Sequence, residues 1–298
     1  MQYNQLGKSD LKVSEVSFGC MSLDGNHTEN AKLLNDAFDK GINFFDTADL
    51  YQFGENEISV GKAFQDKRDQ VIIATKVGNQ WNEDRSGWSW NPTKKYILEQ
   101  VEQSLKRLQT DYIDLYQLHG GTLEDPIDET IEAFEILKKE GKIRAYGISS
   151  IRPNIIRTYI EKSNIDSVMM QYSLLDRRPE EESLSLLHQN KISVITRGSL
   201  AKGLLAGKEA DHYLDYSAAD VNKIAEAVAS ETKENVSAAN VAIKYVLQNP
   251  AVASAVCGIR TENQLEDVVT TAKVADLDSS IYEHLQHILP ANYYKVHR

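Results

Sequence analysis

The chain has 298 residues, 41% hydrophobic and 26% charged, with 33 Lys+Arg against 44 Asp+Glu for a net charge of −11. That acidic balance argues against nucleic acid or an anionic membrane as the main partner, and two cysteines, Cys20 and Cys257, are too few for a disulfide scaffold or a clustered metal site. No signal-peptide pattern opens the chain and no apolar stretch reaches the ~18–20 residues of a membrane span, so a cytoplasmic globular protein with a large core is expected.

Tyr3 to Val13, with Gly7-Lys8 at its centre, reads as a small hairpin, and Val16-Ser17-Phe18 as a first strand. Glu29 to Lys40 predicts a helix stopped by Gly41, a C-terminal cap. Ile42 to Asp46 predicts a strand, Asn56 to Gln65 a helix, and the β-branched run Val71 to Thr75 a strand buried on both faces. A long loop with all three tryptophans, Trp81, Trp88 and Trp90, follows. A helix over Thr93–Leu108 then precedes a strand over Ile113–Leu118. The same alternation continues through a helix over Ile127–Glu140, a strand over Ile143–Ile148, a helix over Pro153–Lys162 and a strand over Ser167–Gln171. Pro179–Gln189 is the next helix and Ser193–Thr196 the next strand. After an irregular stretch come helices over Ala219–Lys233 and Ala238–Gln248, a strand over Ala253–Cys257 and a helix over Gln264–Lys273.

Eight strands each followed by a helix build either an open doubly wound sheet or a closed barrel. The count of eight, and the lack of G-x-G-x-x-G after the first strand, favour the barrel. The expectation is one (β/α)₈ TIM barrel over residues 1–298, with an N-terminal hairpin and extra C-terminal helices. Barrel closure makes the first and eighth strands neighbours, so Cys20 and Cys257 should lie close together, reduced, at the catalytic end.

The ends of the strands carry the chemistry. Asp46 ends the second strand, with Tyr51 in the loop beyond it; Lys76 ends the third and His119 the fourth. In a barrel all four reach the C-terminal rim. Each has a structural reading as well: Asp46 as a turn cap, Lys76 as a solvated strand end, Tyr51 as packing and His119 as a core histidine. Together they make a chemical set. A phenol ionises near about 10, and a neighbouring ammonium favours the phenolate. A carboxylate holds the ammonium, and an imidazole orients a carbonyl. Such a set suits proton delivery during carbonyl reduction.

Gly41-Ile42-Asn43-Phe44-Phe45-Asp46-Thr47-Ala48-Asp49-Leu50-Tyr51 with Gly54 and Asn56-Glu57, Ala74-Thr75-Lys76, Asp111 to His119, and Arg144 to Ser149 resemble the signature of the aldo-keto reductase family. The similarity runs the whole chain and is nearest to bacterial members related to the potassium-channel β-subunit branch. The resemblance implies an oxidoreductase that reduces small aldehydes and ketones with NADPH. Tyr51 would be the proton donor, Asp46 and Lys76 its tuning pair, and His119 the orienting group. Ser149, Ser150 and Gln171 would meet the nicotinamide, with Ser150 standing where many relatives carry Asn. Gly19, Cys20 and Met21 would border the cofactor. Arg197, Gly198, Ser199, Leu200, Lys202 and Gly203 would wrap its pyrophosphate. Gly258, Arg260, Gln264 and Asp267 would hold the adenosine end, with Arg260 on the 2′-phosphate; relatives often have Glu-Asn at Asp267-Val268.

Trp81, Trp88 and Trp90 are expected to wall the substrate pocket. His284-x-x-His287 lacks a third ligand and assigns no metal. The alternative function is a cofactor-binding, redox-sensing regulatory subunit with little turnover. The complete tetrad and the early start of the barrel favour the enzyme.

Overall fold

The computed structural model describes residues 1–298. Eight parallel strands close into a barrel: β1 (Val16–Gly19), β2 (Phe44–Asp46), β3 (Ile72–Val77), β4 (Ile113–Leu118), β5 (Ile143–Ser149), β6 (Ser167–Gln171), β7 (Ser193–Arg197) and β8 (Val252–Gly258). Each pairs with its sequence neighbours, and β8 returns to β1 with Ala255 opposite Val16 and Cys257 opposite Phe18. That closure puts Cys20, just past the end of β1, and Cys257, in the neighbouring β8, toward the C-terminal end, both buried and both free.

Alternation along the strands sorts the core into two layers. Phe44, Ile72, Ala74, Leu115, Ala145, Met169, Ile195, Ala253 and Val256 fill the barrel interior. Phe45, Ile73, Tyr116, Tyr146, Val168 and Val194 face outward into the layer under the helices. This is the register that places Asp46 and Lys76 on one rim. Leu6, Leu11 and Val13, from the hairpin formed by Tyr3–Gln5 and Lys12–Ser14, join the interior layer. The hairpin therefore plugs the N-terminal end. Its Asn4 side chain donates to the Ala253 carbonyl at 2.9 Å, and the Gly7 N–H donates to Ser193 Oγ at 2.8 Å.

The outer helices are α1 (His27–Asp39), α2 (Glu55–Phe64), α3 (Lys94–Leu108), α4 (Ile127–Lys139), α5 (Pro153–Lys162), α6 (Ser183–Gln189), α7 (Ala218–Ser230), α8 (Ala238–Leu247), α9 (Glu262–Thr270) and α10 (Ser279–His287). Helix α3 shows why they form where they do. Thr93 caps its N-terminus, accepting from the Tyr96 N–H, and Ile97, Val101, Leu105 and Leu108 make the buried stripe. Gly41 closes the turn after α1 at φ +97°, a conformation that favours glycine, and so carries the chain into β2.

Two segments differ from expectation. Asn79–Trp81 and Trp88–Trp90 form a two-stranded antiparallel hairpin with Trp81 opposite Trp88, where a loop was expected. Its strands are three residues long and its turn is wholly polar, so no period-2 apolar pattern marks it. The helix expected over Pro179–Gln189 is broken, because Glu182 takes φ −153°; a 3₁₀ turn over Arg178–Glu181 precedes α6. One helix, α10, follows α9 in the tail, and an additional helix lies between β7 and β8, where α7 and α8 occur in succession.

Candidate active site

At the C-terminal rim, Lys76 is the centre of the site. Its side chain is 1% exposed. An ammonium has three donors, and all three are used: to Asp46 Oδ2 at 2.7 Å, to the Thr47 carbonyl at 2.7 Å and to the Tyr51 hydroxyl at 3.4 Å. Burial disfavours the charged amine, but Asp46 and Tyr51 outweigh it and hold its pKa above the ordinary lysine value. Burial also raises the Asp46 carboxyl, against the pull of Lys76. Gln117 Nε2 donates to the second Asp46 oxygen at 3.4 Å. The carboxylate is thus held from two strands.

His119 follows β4, its N–H bonded to the Val77 carbonyl at 2.8 Å. Its ring stands edge-on to Tyr51, with centroids 6.0 Å apart. Burial, with the charges of Lys76 and Arg197, lowers its pKa to about 3, and its Nδ1 is buried without a partner. The imidazole is therefore neutral across the working pH range and can still donate one hydrogen bond to an oxygen in the site.

The neutral His119 has a consequence for stability. The unfolded chain binds a proton near pH 6.5, whereas the native chain binds it only near pH 3. Stability is therefore full above about pH 6.5 and falls as pH drops through that window, by up to ~1.4 kcal/mol per pH unit for one proton. Wild type compared with His119→Gln by urea unfolding between pH 7 and 4 should differ in slope by about one proton. Parallel curves would show that His119 titrates normally in the native state.

The other anticipated residues sit along the same rim. Gly19 and Gly258 are opposite each other in β1 and β8, and a Cβ on Gly19 would come 3.0 Å from Val256 Cγ1. Cys20 lies beneath the rim: its side chain is buried and its carbonyl accepts from Asn56 Nδ2 at 2.7 Å. Met21 beside it is exposed. Ser149 and Gln171, half-buried, end β5 and β6. Ser150 differs: it is buried, and its hydroxyl accepts from the Arg152 N–H at 3.2 Å, making a local turn.

After β7, Gly198, Ala201, Lys202 and Gly203 all have φ between +47° and +92°. The N–H groups of Gly198, Ser199, Leu200 and Lys202 form no bond within the protein. Ser199 Oγ instead turns inward to Thr196 Oγ1, 3.1 Å away. The result is a concave set of backbone donors beside Arg197 and Lys202, which suits an anion.

Arg260 lies farther along, in a groove of about 430 Å³ between α1 and α9 that Lys32, Asp24 and Glu262 also line. Gln264 Oε1 accepts from the Arg260 N–H at 2.8 Å and so fixes the loop at Arg260. Asp267 is exposed on α9, and its carbonyl accepts from Asn240.

The tryptophans occupy three settings. Trp90 is wedged against Gly78 and Gly120: a Cβ on Gly78 would come 2.6 Å from its ring, and its Nε1 donates to Asp125 Oδ1 at 2.9 Å. Trp81 reaches back to the Leu50 carbonyl, and Trp88 is 52% exposed.

Several supporting residues carry no role in the sequence reading. Gln117 is polar at an interior position of an apolar strand, which is itself a signal. Asn56 bonds both Thr47 Oγ1 and the Cys20 carbonyl, tying β1 to β2. Glu57 accepts from Thr75 Oγ1 and Arg107 Nε, each at 2.6 Å.

The family model described as "Aldo/keto reductase family" matches residues 15–290. Over its whole length and that of the relative, the chain is 49% identical to "Uncharacterized oxidoreductase YqkF" of Bacillus subtilis. It is 34% identical to the "NADH-specific methylglyoxal reductase" of Escherichia coli, over 74% of this chain and 73% of that one. Among solved structures, the holo form of aldo-keto reductase AKR11C1 from Bacillus halodurans superposes with a TM-score of 0.95 at 47% identity, covering 100% of this chain and 99% of that chain. With agreement of this extent in sequence and in fold, the chain belongs to the aldo/keto reductase family and is an oxidoreductase of that kind.

Proposed function

We propose that this protein, acting as one domain over residues 1–298, reduces aldehydes and ketones to alcohols with NADPH. The observation that carries the reading is the buried Lys76 ammonium bonded at once to Asp46 and to the Tyr51 hydroxyl. In this scheme the Tyr51 O–H gives its proton to the carbonyl oxygen as that oxygen gains negative charge. Lys76 stabilises the phenolate left behind, and Asp46 keeps Lys76 charged and in place. Neutral His119 donates a hydrogen bond that orients the carbonyl. When bound, the reduced nicotinamide supplies the hydride to the carbonyl carbon.

The chain's own donor set fits that cofactor. The unpaired backbone N–H groups after β7, with Lys202, would hold the pyrophosphate. Ser149 and Gln171 would meet the carboxamide. Arg260, next to the N-terminus of α9, would hold the 2′-phosphate. Ser199 would contribute through its backbone N–H, since its hydroxyl is engaged locally; Ser150, whose N–H bonds the Met169 carbonyl, would contribute through its hydroxyl proton, because that hydroxyl only accepts from Arg152.

NADPH consumption across small aldehydes, dicarbonyls and ketones tests the activity; no turnover with any class would sink it. Arg260 tests the cofactor. A charge-assisted bond is worth about 1.5–3 kcal/mol, or roughly ten- to a hundred-fold in affinity. Arg260→Ala should weaken NADPH by that range and leave NADH unchanged. A wild-type preference for NADH, or equal losses for both cofactors, would rule out Arg260 as the selecting residue.

A further inference from the structure

The three residues after Tyr51 all have left-handed backbone: Gln52 at φ +50°, Phe53 at +58° and Gly54 at +88°. Glycine adopts that region freely, whereas a residue with a Cβ meets a steric penalty there. Two such residues in succession persist only where the surroundings over-determine them. The surroundings do so. Gln52 Nε2 donates to the Leu23 carbonyl at 2.6 Å. The Phe53 ring packs against Trp81 with centroids 4.2 Å apart, and the Arg85 guanidinium lies 4.9 Å from the centre of the Phe53 ring. Trp81 Nε1 donates to the carbonyl of Leu50 at 3.2 Å.

Trp81 therefore holds the chain on both sides of Tyr51: Leu50 immediately before it and Phe53 two residues after. The hairpin that carries Trp81 is itself anchored at its base, where Trp90 sits against Gly78 and Gly120 and bonds Asp125. Meanwhile the Tyr51 hydroxyl makes the longest of the three Lys76 contacts, 3.4 Å. A small displacement of the loop takes it beyond hydrogen-bond range.

We propose that Trp81, assisted by Arg85, is a positioning residue: it clamps the left-handed Gln52-Phe53-Gly54 turn and thereby fixes the Tyr51 hydroxyl against Lys76. The inference rests on the reading of Tyr51 as proton donor. It assigns Trp81 a substrate-independent task, distinct from walling the pocket. A lost wall changes KM to an extent that depends on the carbonyl's size. A lost clamp lowers kcat by one factor for every carbonyl.

The test compares kcat and KM for two aldehydes of different size, with melting temperatures, in Trp81→Ala, Trp81→Phe, Arg85→Ala and Gln52→Gly, and in the double variant Trp81→Ala/Gln52→Gly. Misplacing a reacting group by about 1 Å costs up to roughly 10²-fold. Trp81→Ala should therefore lower kcat by ~10- to 100-fold, equally for both aldehydes, with KM little changed. Trp81→Phe keeps the ring stack, loses the bond to Leu50 and should fall between. Adding Gln52→Gly to Trp81→Ala should restore part of the lost kcat, because glycine enters the left-handed region without the steric penalty that the clamp offsets, while giving up the bond to Leu23. A pocket wall cannot be rescued in that way.

A change confined to KM, or unequal factors for the two aldehydes, overturns the proposal. Should Trp81→Ala fail to fold, Trp81→Phe and Arg85→Ala must show the same uniform fall in kcat. Tyr51→Phe separates the two readings. If it is inactive while Trp81→Ala turns over normally, the clamp alone fails; if Tyr51→Phe itself turns over normally, the donor assignment fails.

Discussion

Tyr51→Phe should lower kcat for a good aldehyde by about 10²–10⁴, the usual cost of losing a general acid, with affinity for the nicotinamide cofactor nearly unchanged. The phenol oxygen is the one atom removed. The hydroxyl's hydrogen-bond partner is Lys76 Nζ, so its loss frees a donor on an ammonium that keeps Asp46 and the Thr47 carbonyl as partners. The fold should hold, and the ring should still stand edge-on to His119. Single-turnover measurements separate chemistry from product release. Near-normal single-turnover rates in the variant would exclude Tyr51 as the source of the proton, whatever the steady state shows.

Lys76→Met should cost more than activity. It leaves the Asp46 carboxylate buried, with only Gln117 beside it. Removing one partner of a buried pair destabilises by roughly 3–5 kcal/mol at neutral pH. The sign of the pH dependence follows from Asp46. Burial already raises its pKa, and without Lys76 nothing comparable opposes that. The native variant then holds a proton at pH values where the unfolded chain has released it. Relative to wild type its stability therefore rises as pH falls toward the unfolded carboxyl's value of about 4, and the gap between the two narrows. Replacing both partners, as in Asp46→Leu/Lys76→Met, should recover much of the lost stability while leaving the enzyme inactive. Denaturant unfolding at pH 7 and pH 5 reads wild type and both variants. A Lys76→Met protein as stable as wild type at both values would mean that the pair is not a buried ion pair in solution.

The barrel was legible because its strands are short apolar runs set between well-capped helices, and because Gly41 sits where α1 must end. The rim was legible because polar residues interrupt that apolar pattern at the ends of β2, β3 and β4. What stayed hidden depends on backbone geometry. Nothing in Trp81-Asn82-Glu83-Asp84-Arg85-Ser86-Gly87-Trp88 announces a hairpin, since pairing three-residue strands relies on tertiary anchoring by Trp90. Nor does Ser199 announce that its hydroxyl turns inward and leaves its N–H without a partner. Left-handed torsions at Gln52, Phe53, Ala201 and Lys202 are equally invisible, because those residue types rarely adopt them. Asp46, Tyr51, Lys76 and His119 could be read from the sequence, with Lys76 between Tyr51 and Asp46; the third Lys76 bond, to the Thr47 carbonyl, and the Gln117 contact on Asp46 could not.

The plug at the N-terminal end bears on how the molecule is assembled. Residues 1–14 leave the ribosome before any barrel strand, yet Asn4 bonds Ala253 and Gly7 bonds Ser193, and β1 pairs with β8 across more than two hundred residues. Until Val252–Gly258 has been synthesised, β1 and β7 are open edges of an incomplete sheet, able to pair with another chain. The loop that closes them is nearly the whole protein, so its entropy must be lost before those last contacts return anything. The hairpin made ahead of the barrel is thus among the last segments to find its partners, and a nascent chain lacking only β8 would expose both its plug and its two unpaired edges to neighbours on the same messenger.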